Sequence, residues 1–163
     1  MKDTLRIPAF TAYSEPDHDG GARFSERRGV TKWKPGQRIV WYGKLAKTGR
    51  LEVEVSVAAK ATQGARLLLT AGPVGKRVQR RSSDIVDGMA RLGELQATPG
   101  YWRFVLDWTA GDAPDLDAML LSGPAAEGAH FNLEERRNAA SVHLGWPTEK
   151  GEDRAVLQRD YGA

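Results

Sequence analysis

The chain contains no cysteine. Disulfide scaffolds and thiolate chemistry are therefore excluded, and zinc has only histidines and carboxylates to draw on. Histidine is nearly as scarce. His18, His130 and His143 stand far apart, without the close spacing of a helical zinc motif. No apolar run reaches the roughly 18 residues a membrane span requires. The opening residues, MKDTLRIPAF, lack the apolar stretch of a secretory signal, so an extracytoplasmic location is expected only if a signal has been removed. Helical periodicity is weak everywhere. Asn132 to Arg137 offers a single turn and Glu152 to Arg159 a short polar helix. Collagen, coiled coil and a disordered acidic chain are all excluded by composition.

Charge of one sign is also in short supply. With 24 basic and 21 acidic residues the net charge is only +3. The densest basic run, Lys76-Arg77-Val78-Gln79-Arg80-Arg81, has no stacking aromatics or recognition helix beside it. It reads as a solvated loop or strand edge, not a nucleic-acid contact.

What remains is a turn-rich chain of 163 residues with 18 Gly and 8 Pro. A domain of this length buries roughly 70% of its unfolded surface, enough for a core without crosslinks. Its pattern is of period two. Leu51, Val53, Val55 and Val57 alternate with Glu52, Glu54 and Ser56, which predicts a strand with one buried face. Gln37 to Leu45 places Ile39, Trp41 and Leu45 opposite Val40, Tyr42 and Lys44. The connection Lys47-Thr48-Gly49-Arg50 predicts a hairpin between these two strands. Ala65 to Thr70 is apolar on both faces and so is expected to be central.

Tyr101 to Trp108 places Trp102, Phe104, Leu106 and Trp108 on one face, with Tyr101, Arg103 and Val105 on the other. Further strands are predicted over Asp117 to Ser122, Ala139 to Leu144, Ile7 to Tyr13 and near Ile85 to Leu95. Eight or nine short strands joined by turns imply an all-β antiparallel sandwich or jelly roll. Residues 1–147 would form it, and 148–163 a polar tail or linker.

Enzymatic motifs are few. There is no GxSxG elbow, and Gly72-Pro73-Val74-Gly75-Lys76 lacks the spacing and the following helix of a phosphate loop. Asp112, Asp115 and Asp117 supply carboxylates of the glycosidase kind, but a turn rich in Asp, Gly and Pro has the same composition for conformational reasons.

Aromatics are more informative. Trp41, Trp102, Phe104 and Trp108 alternate like core residues, whereas Trp33, Tyr42, Tyr101 and Trp146 lie near turns or on opposite faces, as platforms for sugar rings would. Arg136, Arg137, Asn138 and His143 form the densest polar constellation, with Asn132 and Ser141 beside them. They suit hydroxyl or carboxylate recognition, or equally the pinning of a sandwich corner. Calcium would draw oxygens from Glu15, Asp17, Asp19, Asp115 or Asp117, although a solvated acidic loop accounts for the first three.

Four stretches carry a resemblance: IPAFTAYSEP (Ile7 to Pro16), IVWYGKLAKTGRLEVEVSV (Ile39 to Val57), PGYWRFVL (Pro99 to Leu106) and LLSGPAAEGAHFNLEERRNAASVHLGW (Leu120 to Trp146). Together they resemble an uncharacterised bacterial domain family that usually precedes a second uncharacterised domain in secreted or surface proteins. More loosely, the order of elements is similar to galactose-binding-like jelly rolls, which include many carbohydrate-binding modules. That resemblance implies a structural calcium held by Glu15 and Asp117. It also implies a non-catalytic carbohydrate-binding or accessory module of a bacterial polysaccharide-processing protein. Two alternatives stand beside it. One is a structural module packing on a neighbouring domain through Arg136 to Trp146; the other is a small glycoside hydrolase using Asp115 or Asp117 with His143.

Overall fold

A computed structural model describes residues 4–15, 22–58 and 64–131. Over these residues the chain is an antiparallel β-sandwich, as expected. Its strands are β1 (Leu5–Pro8), β2 (Tyr13–Glu15), β3 (Arg23–Ser25), β4 (Gly29–Thr31), β5 (Arg38–Leu45) and β6 (Gly49–Val57). They continue with β7 (Arg66–Pro73), β8 (Gln79–Asp84), β9 (Met89–Ala97), β10 (Gly100–Ala110), β11 (Leu116–Ser122) and β12 (His130–Phe131). The first sheet has the order β3-β4-β11-β6-β9, with β1 also on β11. The second has the order β12-β5-β10-β7-β8, with β2 also on β5.

Alternation decides what lies between the sheets. Leu51, Val53 and Val55 of β6 meet Ile39, Trp41 and Leu45 of β5 and Trp102, Phe104 and Leu106 of β10, all within 1% of full burial. Trp102 and Phe104 stack with centroids 5.9 Å apart, and the indole N–H of Trp102 donates to the Thr98 carbonyl at 2.9 Å. The buried aromatic thus keeps its polar edge satisfied. Trp108 packs on the same core from its margin. As anticipated, β7 is interior to its sheet, between β10 and β8.

Connectivity departs from expectation. The predicted hairpin between β5 and β6 is a crossing from the second sheet to the first. Its period-two pattern is compatible with either arrangement, because both bury one face in the same core. Among the described strands, sequence neighbours pair only in β3–β4 and β7–β8. The early strand is likewise divided. After Pro8 a 3-10 turn, Ala9–Thr11, closes with the Thr11 hydroxyl donating to the Pro8 carbonyl at 2.7 Å. This turn sends β1 to the first sheet and β2 to the second.

The basic run supplies the start of β8, an edge strand, in line with the sequence. The glycine-rich stretch Gly72 to Lys76 is the end of β7 and the start of the β7–β8 hairpin turn, and it leads into a strand. The strand at 139–144, the boundary at residue 147 and both short helices lie outside the described residues. No helix among the described residues is long and apolar enough to cross a membrane.

Candidate functional site

The outer face of the second sheet gathers the described candidates. In β5 the core takes Ile39, Trp41 and Leu45, which turns Arg38, Val40, Tyr42 and Lys44 outward. In β10 the same alternation turns Tyr101, Arg103, Val105 and Asp107 outward. The register brings the rows together: Tyr101 lies opposite Lys44, Arg103 opposite Tyr42, and Val105 opposite Val40. On one flank β2 adds Tyr13 and Glu15, opposite Val40 and Arg38. Beyond β10, the β7 row is Arg66, Leu68, Thr70 and Gly72.

Val40 and Val105 form a floor. They are 0% and 4% exposed yet stand apart from the core cluster, flanked in the register by long polar and aromatic side chains. Around them the polar groups are fixed. Arg103 donates to the Glu15 carboxylate and, through Nε, to the Tyr42 hydroxyl at 3.4 Å. Burial works against the Arg103 charge, but the Tyr42 oxygen and the Glu15 carboxylate outweigh it and hold the guanidinium pKa above its ordinary value. Tyr42 meets Tyr13 edge to face at 5.9 Å. Arg38 pairs with Asp107 at 3.2 Å, and the Lys44 ammonium lies 5.4 Å from the Tyr101 ring centre.

A glycine shapes the far side. Gly72 points outward beside Arg103, and a Cβ there would lie 2.5 Å from the Arg77 carbonyl oxygen and 3.0 Å from the Val78 Cα. The β7–β8 turn therefore folds back over the sheet face and walls it, which a side chain at residue 72 would prevent.

Tyr42 and Tyr101 thus come together on one face, and Tyr101 is 43% exposed. Trp33 does not join them and is a correction. It is 2% exposed, its indole N–H donates to the Gln37 carbonyl at 2.6 Å, and its ring packs on Trp108 at 6.3 Å. Proximity to a turn suggested a platform, but the turn folds inward around the indole.

The paired metal ligands are a second correction. Glu15 lies on the outer face of the second sheet, held by Arg103. Asp117 lies on the outer face of the first, where it accepts from Arg6 and Ser56, both at 3.0 Å. With the core between them they do not fit one calcium ion. Among the described residues no group of three or more His, Asp or Glu side chains gathers as a metal site. Arg136, Arg137, Asn138, His143 and Trp146 lie outside the described residues, as do Asp17 and Asp19.

Tyr13, Arg38, Lys44, Arg103 and Asp107 were not singled out as site residues from sequence. Their signal was available: each stands next in sequence to a core residue whose inward direction turns it outward.

Comparison with known proteins supports this architecture. The fold is similar to the native structure of a family 35 carbohydrate-binding module from Clostridium thermocellum, with TM-score 0.52 and 15% identity over 73% of this chain and 97% of that one. It is also similar to a CBM35 from Cellvibrio japonicus Abf62, with TM-score 0.48 and 16% identity over 74% and 94% of the two chains. No curated protein matches the sequence. Residues 7–126, which span nearly all of the sandwich, match a family profile, and the chain belongs to that domain family of unknown function, DUF5077.

Proposed function

We propose that this protein is a non-catalytic carbohydrate-binding module of a bacterial polysaccharide-processing protein, and that its sugar site is the outer face of the second sheet. The observation that carries the reading is the placement of Tyr42 and Tyr101 beside the Arg103–Glu15 pair, over a floor of buried valine. A sugar ring presents an apolar C–H face and a rim of hydroxyls. Tyrosine rings offer flat apolar surface with a polar tip. A guanidinium already oriented by Glu15 and Tyr42 offers planar donors at small further cost in ordering. Sharing a fold with carbohydrate-binding modules supports the class without specifying the ligand.

A face open to solvent gains little net free energy, so affinity should fall between micromolar and millimolar, roughly −4 to −8 kcal/mol. The test is calorimetric titration of the intact chain with neutral and acidic polysaccharides, with calcium and with chelator. Tyr101→Ala should weaken binding by about two- to tenfold, the value of one stacked ring, while leaving the melting temperature nearly unchanged. Undiminished binding by both Tyr101→Ala and Tyr42→Ala would remove this face from consideration. Absence of binding to any polysaccharide by folded protein would reject the function.

A further inference from the structure

We infer that the ligand of this face carries anionic groups and that the end of the face around Tyr101 recognises them. The inference rests on the carbohydrate reading above and narrows it to acidic polysaccharides, those bearing carboxylates or sulfates.

The argument is one of charge matching. Among the described residues the face displays three carboxylates, each already taken by an arginine: Glu15 by Arg103, Asp107 by Arg38, and Asp84 by Arg66 at 2.6 Å. Those pairs occupy the middle of the face and the end formed by the start of β5 and of β7. Toward the opposite end the cations have no carboxylate among the described residues. Lys44 stands at the end of β5, opposite Tyr101, and Arg80 lies two outward rows further in, on β8 opposite Thr70 in the row of the valine floor. Lys76 and Arg77 sit in the exposed turn that folds over Gly72. None of these four forms an ion pair among the described residues. Among the described residues the unmatched positive charge of the face therefore lies toward the Tyr101 end, with Lys44, Lys76 and Arg77 at it and Arg80 in the adjoining valine row.

That same end carries Tyr101, Val74 and Val78, three of the four large hydrophobics exposed among the described residues. The Val74 N–H donates to the Tyr101 carbonyl at 2.9 Å, which ties the turn to the start of β10. Apolar surface for a ring and unmatched cations for its substituents are thus contiguous. A neutral sugar would use the first and leave the second idle. An anionic one uses both, and its approach is favoured within the roughly 8 Å reach of unscreened charge.

The experiment titrates the intact 163-residue chain with oligogalacturonate, dextran sulfate and a neutral galactomannan, at low and at high salt. Oligogalacturonate and dextran sulfate separate a carboxylate from a sulfate preference. The expected result is that at least one acidic polymer binds at least about tenfold more tightly than the neutral one. The Lys76→Glu/Arg77→Glu double variant should lose about tenfold, as two modest exposed attractions become repulsions. Lys44→Gln/Arg80→Gln should lose a smaller factor without altering the melt.

The control is Arg27→Glu/Arg28→Glu, which makes the same charge change on the exposed β3–β4 turn of the other sheet. It should bind as the parent does. Equal losses in the control and the patch variants would mean diffuse attraction to a basic protein and would overturn the inference. Preference for the neutral polymer would overturn it while leaving the carbohydrate function standing. Binding to none of the three, or to others in a wider screen, would remove both.

Discussion

Replacing Trp33 by alanine should unfold much of what holds the first sheet's edge to the second. The side chain is 2% exposed. An indole buries roughly 150–250 Å², and at about 25 cal/mol per Å² this is worth about 4–6 kcal/mol. Alanine retains a small part of that, and measured Trp→Ala losses in cores run at about 3–5 kcal/mol. For a domain of this size the melting temperature should fall by roughly 10–20 °C.

Trp33→Phe separates the two contributions. It keeps a ring against Trp108 but removes the donor from the Gln37 carbonyl, which lies 2.6 Å from the indole nitrogen. An acceptor left without its partner in a buried setting costs about 1–3 kcal/mol. Gln37 is itself 4% exposed, and its side-chain oxygen accepts from the Ala22 N–H at 2.8 Å, so the turn has little freedom to re-satisfy that carbonyl. Urea unfolding followed by circular dichroism and by tryptophan fluorescence would measure both variants. A Trp33→Ala protein within about 1 kcal/mol of the parent would refute the reasoning. If it had also lost sugar binding, Trp33 would return as a ligand platform.

Three further outcomes can be checked in the same way. Gly29 has φ +77°, and a Cβ there would lie 2.0 Å from the Leu116 carbonyl oxygen, whereas Gly36, at φ +83°, has open space around it. Thermal melts should therefore show Gly29→Ala losing more than about 2 kcal/mol and Gly36→Ala only about 1 kcal/mol, the cost of the backbone conformation alone. A double-mutant cycle between Arg103→Met and Glu15→Gln should show a coupling of about 1 kcal/mol. The side chains are 35% and 38% exposed, so solvent screens the pair, and a coupling near zero would show that Glu15 does not orient the guanidinium. The Glu127 carboxyl is held below its ordinary value of 4.5 by its hydrogen bond to Lys47 and then by that residue's charge. A depressed carboxyl stabilises the fold above the unfolded value and loses this as pH falls through the folded one. Glu127→Gln should accordingly give up a small stabilisation at neutral pH, match the parent at acid pH where the carboxyl is protonated anyway, and so flatten the stability profile below about pH 4.5.

Much of the architecture was written in local pattern. Leu51, Val53, Val55 and Val57 against Glu52, Glu54 and Ser56 admit no element but a strand with one wet face, because side chains alternate across a strand. The same rule assigned Trp41, Trp102 and Phe104 to the core, and it held Tyr101, Arg103 and Val105 to the opposite face. Strand existence and facing are properties of neighbours two residues apart. Strand pairing is not, and here tertiary structure alone decided it. Leu45 and Leu51 bury equally well whether β5 and β6 are hairpin partners or lie in opposing sheets, so the crossing between them left no trace in the alternation. The short strands β3 and β4 were missed for a related reason. Three residues are too few to show a period, and Gly29 reads as a turn until Leu116 is seen packed against it.

The site divides along the same line. That Tyr42 and Tyr101 face away from the core follows from sequence, while their shared neighbourhood with Glu15 and Arg103 depends on the registers of β2, β5 and β10. Burial of Trp33 and separation of Glu15 from Asp117 were likewise beyond local reading. Which way a turn folds, and on which side of a core a carboxylate emerges, is determined by packing between segments far apart in the chain.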